Sequence, residues 1–277
     1  MITIAVAGGS RPEILEFVTQ AHKRYSNELT FIIFDTEENI DSNNLWTYVP
    51  CETENEMVHR AVKSVASNQA QILVKGIVPT HAILKEVLRE EHDLKKQGIL
   101  SHAALINLPQ LDRPLLLADA GMNITPSKDI LIGIVDNTVD IAFKIGLKNP
   151  RVALLSAAEN YNPKMPSSVM AKEVTDYYKD SENMTIYGPI SFDLALSKEA
   201  VTHKGFQGPI EGDADVIIVP NIDVGNALYK ALVLFGGAIT GGTIVGTKVP
   251  IVLTSRSDAI ESKLYSLEFA IKQIKNK

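Results

Sequence analysis

One cysteine, Cys51, stands in 277 residues. An internal disulfide therefore cannot form, and paired-thiol redox chemistry and any metal site built from several cysteines are excluded. Histidine is scarce as well: there are six, with no His-x-x-x-His or His-Glu-x-x-His spacing, so no metal site is expected from local sequence. Long apolar runs are missing. Ile130–Val135 and Val216–Val219 fall far short of the roughly 20 residues a membrane helix needs, and no transmembrane segment is expected. Basic residues are outnumbered, 27 Lys and Arg against 33 Asp and Glu, for a formal net charge of −6. A nucleic-acid surface, which needs clustered cations, is not expected from such dispersed charge, although a single cleft can still be locally positive. Neither Gly-x-Ser-x-Gly nor a Walker lysine motif occurs, which removes the usual anchors of hydrolase and P-loop readings. The opening Met-Ile-Thr-Ile-Ala-Val-Ala lacks a basic n-region and reads as a strand, so a cytoplasmic protein is expected.

What is present is enough apolar material, 45% of residues, to bury one large α/β domain or two smaller ones. Short β-branched runs alternate with helical patterns in the cadence of β-α units around a largely parallel sheet. Strands are expected at 2–7, 30–34, 71–75, 103–106, 115–118, 151–156, 216–219 and 249–254. Helices are expected at 13–25, 54–67, 80–89, 127–145, 167–178, 223–234 and 259–274. The charged segment Glu90–Gly98 reads as a surface connection between two halves, or as a helix ending at Gly98. Gly236–Gly246 reads as a glycine-rich stretch ahead of the final strand and helix.

Four segments carry polar side chains at predicted strand ends. The Gly8-Gly9 turn lacks the Gly-x-Gly-x-x-Gly spacing of a dinucleotide site, so an ordinary strand-to-helix turn is expected there. In the second segment, 154–168, a strand opens into a loop holding Asn160 and Lys164, with Ser167 placed to cap the next helix and offer its N–H groups to an anion. In the third, Asp223 is placed to cap a helix whose early turns carry Asn226 and Lys230, on a face that solvent alone would also tolerate. The last strand ends in Thr254-Ser-Arg-Ser-Asp, where Arg256 can grip phosphate in a bidentate fork and Ser255 can donate to an oxyanion; an Arg256–Asp258 ion pair is the plainer reading.

Several longer stretches occur in one order: Lys75-Gly76 with Thr80, Asp112 through Asn123, Asn160 through Ser167, Gly188-Pro-Ile-Ser-Phe-Asp, Gly212 through Lys230, and Thr254 through Asp258. Taken together they resemble the phosphate acetyl/butyryltransferase family, most closely its butyryl branch. That resemblance implies an isocitrate-dehydrogenase-like fold: two α/β domains, 1–99 plus 250–277 and 100–249, with a cleft between them, in a dimer. It implies reversible transfer of a short acyl group, butyryl, branched or acetyl, between coenzyme A and inorganic phosphate, giving acyl phosphate and CoA without a tightly bound cofactor or metal. The family's Ser-Arg pair falls on Ser255 and Arg256. Its thiol base, an aspartate, falls on Ser262, which leaves Asp258 and Glu261 as the nearby carboxylates, with Asp258 taken into the catalytic set. An upstream family arginine for phosphate has Lys75, Lys85 and Arg89 in its region. The implied substrate-binding set is Asp119, Asn123, Asn160, Lys164, Ser167, Asp223, Asn226 and Lys230. A non-catalytic protein that binds CoA or acyl phosphate is the competing class, and a nucleotide-dependent oxidoreductase a third.

Overall fold

The computed structural model describes residues 1–25, 28–37, 40–253 and 259–275. In chain order these form β1 (Ile2–Ala7), α1 (Pro12–Arg24), β2 (Leu29–Asp35), β3 (Trp46–Pro50), α2 (Glu54–Ala66), β4 (Ile72–Lys75) and α3 (Thr80–Val87). A 3-10 turn at Glu90–His92 follows, then β5 (Ser101–Asn107), β6 (Leu115–Ala118), α4 (Lys128–Lys144), β7 (Arg151–Leu155), α5 (Pro166–Tyr177) and β8 (Thr185–Ile190). The remainder is α6 (Phe192–Leu196), α7 (Lys198–Lys204), β9 (Val216–Ile218), α8 (Ile222–Leu234), β10 (Ile239–Val245), β11 (Ile251–Leu253) and α9 (Ile260–Lys275). The fold is α/β, in two compact units: Met1–Lys96 with Gly241–Lys275, and Gln97–Thr240.

In the first unit the strand order is β3-β2-β1-β4-β11-β10, parallel throughout except that β10 runs antiparallel to β11. Helix α1 buries Ile14, Phe17, Val18 and Ala21, the i, i+3, i+4, i+7 stripe that one helical face requires, and begins with Pro12, whose missing N–H is no loss at that position. These side chains meet Ile4 and Val6 of β1, Phe31 of β2 and Leu264 and Leu267 of α9 in one core. Phe17 and Phe31 are fully buried, each stabilising the unit by roughly 1.5–3 kcal/mol relative to exposure. Thr53 caps α2 by accepting the Glu56 N–H.

In the second unit the order is β5-β6-β9-β7-β8; β5 is antiparallel to β6 and the other four run parallel. Every residue of β6 and β9 is buried, which is why both read as unbroken apolar runs and not as alternation. Their core joins Leu117, Ala153, Ile190, Leu194 and Ile217. The parallel ladder brings the carboxyl ends of β6, β9, β7 and β8 to one edge, and the loops carrying this unit's sequence motifs leave from there.

Three expectations change. Glu90–Gly98 is not one helix: it opens with the 3-10 turn, in which His92 is buried, then buries Leu94 and bridges Lys95 to Thr247, while its other charged residues stay on the surface across the division between the two units. The glycine-rich stretch contains a strand, β10. Short helices α6 and α7 and strands β3 and β8 add to the expected elements. Among the described residues no helix is long and apolar enough to cross a membrane.

Candidate active site

The loop after β6 is built around Asp119, which is 2% exposed. Its Oδ1 accepts the N–H groups of Gly121 and Met122 at 2.9 and 3.0 Å, and its Oδ2 accepts the backbone N–H and the Nδ2 of Asn123 at 3.2 and 2.6 Å. Asn123 also donates to the Leu100 carbonyl at 3.0 Å. Both side chains are thus spent on shaping a tight turn at the strand's end. His102 lies against Gly121; burial pushes its imidazole below the usual value, with the Asp119 carboxylate opposing, and its Nδ1 has no hydrogen-bond partner among the described residues.

Helix α8 approaches this turn closely because its second turn offers Gly225: a Cβ there would lie 2.6 Å from the Asp119 carbonyl oxygen and 3.0 Å from Ala120 Cα. Asn226, the next residue, donates from Nδ2 to the Ala120 carbonyl at 3.4 Å. The cap of α8 is Asn221, whose Oδ1 accepts the Val224 N–H at 3.0 Å, and not Asp223. Asp223 sits exposed in the first turn, where a carboxylate still suits the positive end of the helix. Lys230 is exposed two turns on.

The loop after β7 behaves in the same way. The Asn162 N–H donates to Ser168 Oγ at 2.9 Å and its Oδ1 accepts the Lys164 N–H at 2.9 Å, while Asn160 and Lys164 are exposed. Helix α5 begins one residue before expectation: Met165 is its flanking residue without a side-chain cap, Pro166 opens it, and Ser167 lies inside the first turn. In place of capping, the Ser167 hydroxyl pairs with that of Ser156 at 3.0 Å, and Ser156 also reaches the Met165 sulfur at 3.2 Å.

Ser156 and Ser167 form the polar side of a cavity of about 560 Å³. Its other walls are Leu155, Phe192, Pro220, Val224 and Leu228, with Asn221 at the α8 cap. That is within the usual size of a small-molecule site, largely apolar with a few convergent polar groups. Ser156, Phe192 and Asn221 are not among the residues expected from sequence, although each lies inside one of the motifs; their signal is position at a strand end, without a charge. The structure therefore gathers Asp119, Asn123 and Asn226 around one turn, puts Ser167 in the cavity wall, and leaves Asn160, Lys164, Asp223 and Lys230 on the surface of the same unit. Ser255, Arg256 and Asp258 lie outside the described residues. Of the upstream cations, Lys75 is buried with Nζ donating to the Gly76 and Val78 carbonyls, Lys85 is exposed, and Arg89 is paired with Glu86 and Glu91.

Residues 49–271 match the family model described as "Phosphate acetyl/butaryl transferase". A phosphate butyryltransferase of Clostridium acetobutylicum is 39% identical over 213 residues, covering 76% of this chain and 71% of the relative. A phosphate acetyltransferase of Thermotoga maritima is 33% identical over 275 residues, covering 95% and 92%. The crystal structure of a branched-chain phosphotransacylase from Enterococcus faecalis V583 is 57% identical, covers 100% of both chains and gives a TM-score of 0.97.

Proposed function

This chain belongs to the phosphate acetyl/butyryl transferase family, and we propose that within it the preferred donor is a butyryl or branched short-chain acyl-CoA. It is an acyltransferase that moves an acyl group between CoA and inorganic phosphate. The preference for a longer or branched group is supported above all by the 57% identity, over the whole of both chains, to a branched-chain phosphotransacylase. The apolar walls of the cavity, Leu155, Phe192, Val224 and Leu228, suit such a group, because each added methylene is worth roughly 1–3 kcal/mol of discrimination in a matching pocket.

In the direction of acyl-CoA synthesis the CoA thiolate attacks the acyl carbonyl carbon, a C–S bond forms, and the C–O bond to phosphate breaks, releasing inorganic phosphate. A free thiol titrates near about 8.5, so a base or local cation is needed to raise the thiolate fraction at neutral pH. We assign the phosphate and carbonyl clamp to Arg256, an oxyanion contact to Ser255 and the nearby carboxylate to Asp258. Holding two anionic reactants in contact can lower the barrier by roughly 7–11 kcal/mol through positioning alone. The exposed Lys164 and Lys230 are assigned to the phosphates of CoA, and the Asp119–Asn123 turn with Asn226 to the support of the strand-end loops. The reaction is complete with these groups and calls for no tightly bound cofactor. The same reading makes the enzyme a cytoplasmic homodimer, with support for the dimer from the uncovered apolar face of α8.

The test is phosphate-dependent release of CoA thiol from acetyl-, propionyl-, butyryl- and isobutyryl-CoA, with a phosphate-free control that separates transfer from hydrolysis. Release that requires phosphate and peaks with butyryl or isobutyryl is expected, and Arg256→Ala should lower kcat by about a hundredfold or more, as loss of an oxyanion contact does, without lowering the thermal midpoint. A peak at acetyl would sink the donor assignment; wild-type kinetics in the arginine variant would sink the site assignment.

A further inference from the structure

Local spacing in the sequence carries no metal motif, yet the first unit brings two histidines and two glutamates close together. We propose that His59, Glu86, Glu91 and His92 form a binding site for one divalent transition-metal ion of the zinc class. His59 stands on α2, Glu86 on α3, and Glu91 and His92 on the 3-10 turn that follows. His59 Nδ1 and His92 Nε2 converge on the same atom, Glu86 Oε1, at 2.8 and 2.6 Å. Glu91 Oε1 lies 3.9 Å from each of those nitrogens. All four donor atoms fall within 4.8 Å of one another. Zinc holds nitrogen and oxygen ligands at about 2.0–2.2 Å, which spaces the corners of a tetrahedron by about 3.3 Å; the four observed distances straddle that spacing.

The chemistry of the set points the same way. Two imidazoles with two carboxylates suit zinc, cobalt or nickel better than magnesium or calcium, which favour all-oxygen shells. The two carboxylates offset the charge of a divalent ion, and the set is partly withdrawn from water, with the His92 side chain only 4% exposed and that of Glu86 12%. Arg89 holds Glu86 Oε2 at 3.4 Å, leaving Glu86 Oε1 turned towards the imidazoles, and meets both oxygens of Glu91, Oε1 at 3.1 Å and Oε2 at 3.2 Å; on binding the ion Glu91 keeps the Oε2 contact as outer support and turns Oε1 to the metal. Binding requires each imidazole to move its proton to the other ring nitrogen, so that the lone pair of His59 Nδ1 and of His92 Nε2 faces the ion. Because the ligands come from α2, α3 and the turn after it, the ion would fasten the end of α3 and that turn onto α2.

Full-length protein freed of metal with a chelator is titrated with Co²⁺, reading the visible ligand-field absorption of tetrahedral cobalt, and then with Zn²⁺ as competitor. Saturation at one ion per chain is expected, with displacement by Zn²⁺, which stands above Co²⁺ in the usual affinity order. His92→Gln removes a buried ligand; His59→Gln removes one that is more than a third exposed and leaves the packing of α2 intact. Each variant should weaken binding by more than about tenfold, since even loss of an outer partner costs that much. Zn²⁺ should also raise the thermal midpoint of the wild type and not that of His59→Gln. Absence of saturable tetrahedral absorption, an unchanged titration in both variants, or an equal midpoint shift in His59→Gln would overturn the proposal and leave a histidine–carboxylate–arginine ion cluster.

Discussion

The carboxylate of Asp119 accepts four hydrogen bonds from Gly121, Met122 and Asn123, so an amide in its place would turn an NH₂ group towards N–H donors it cannot satisfy. A buried donor left without a partner costs about 1–3 kcal/mol. Asp119→Asn is therefore expected to lower unfolding free energy by about 2–3 kcal/mol in urea, and to lower kcat/KM because the loop after β6 is displaced. If Asp119 met substrate directly instead, activity would fall while the urea midpoint stayed put. At this scale the sequence revealed which segments matter better than what each side chain does. Asp119 and Asn123 were visible because polar residues after a buried strand stand out, but that the two bond each other and their own turn depends on backbone geometry. Residue type points to Ser167 and Asp223 as caps, yet Met165 and Asn221 hold those places, because where a helix begins depends on how the preceding loop packs. The converging imidazoles of His59 and His92 come from residues far apart in sequence, and no spacing rule reaches across that separation.

Helices α4 and α5 are tied by Tyr178, which follows α5 directly and reaches across to α4. Its hydroxyl donates to Asp136 Oδ1 at 2.6 Å and lies 3.2 Å from the Ile132 carbonyl. Burial first, and the hydrogen bond and charge of Asp136 second, push its phenol well above the ordinary value. A raised folded-state value means that this contribution is fully present below the unfolded phenol value, about pH 10, and is lost as pH rises beyond it. Tyr178→Phe should accordingly cost about 1–2 kcal/mol at pH 7, and the gap between the two urea curves should close above pH 10. A constant gap across that range would show that the hydroxyl does not carry the difference. Elements are the most legible level of this chain: β6 falls where expected to the residue, as a short apolar run bounded by polar residues and proline, and α2, α4 and α8 fall within one residue at either end. The omissions share a cause, which is that apolar pattern alone does not show an edge or a close approach. β3 and β8 stand at the ends of their ladders and contain proline, as edge strands tolerate. β10 was hidden by its glycines, which are there because α9 presses on it. A Cβ at Gly241 would lie 2.7 Å from the Tyr265 backbone, and the Gly242 N–H donates to Ser266 Oγ at 3.1 Å.

For the molecule as a whole, the proposed homodimer is argued from what α8 leaves uncovered. Of its thirteen residues only Gly225 is buried, although the helix is rich in Ala, Val and Leu. Val233, Leu234, Phe235 and Ile239 are 37, 72, 88 and 48% exposed, large apolar side chains at and just beyond the end of one helix. Large apolar side chains this exposed and this close in sequence suit a contact with another chain, and a formal net charge of −6 opposes association unless apolar contact outweighs it. In a twofold interface each side chain acts twice, so placing a charge at Phe235 removes two buried phenyl rings, about 3–6 kcal/mol in all, which weakens association roughly a hundredfold or more. Sedimentation equilibrium should give wild-type protein twice the chain mass of 30.3 kDa, and Phe235→Glu with Leu234→Glu a concentration-dependent shift towards the single chain with unchanged circular dichroism. A wild-type protein that sediments as a single chain would refute the dimer. A double variant that stays dimeric would put the interface away from α8, and its apolar face would then have to be covered by something other than a second copy.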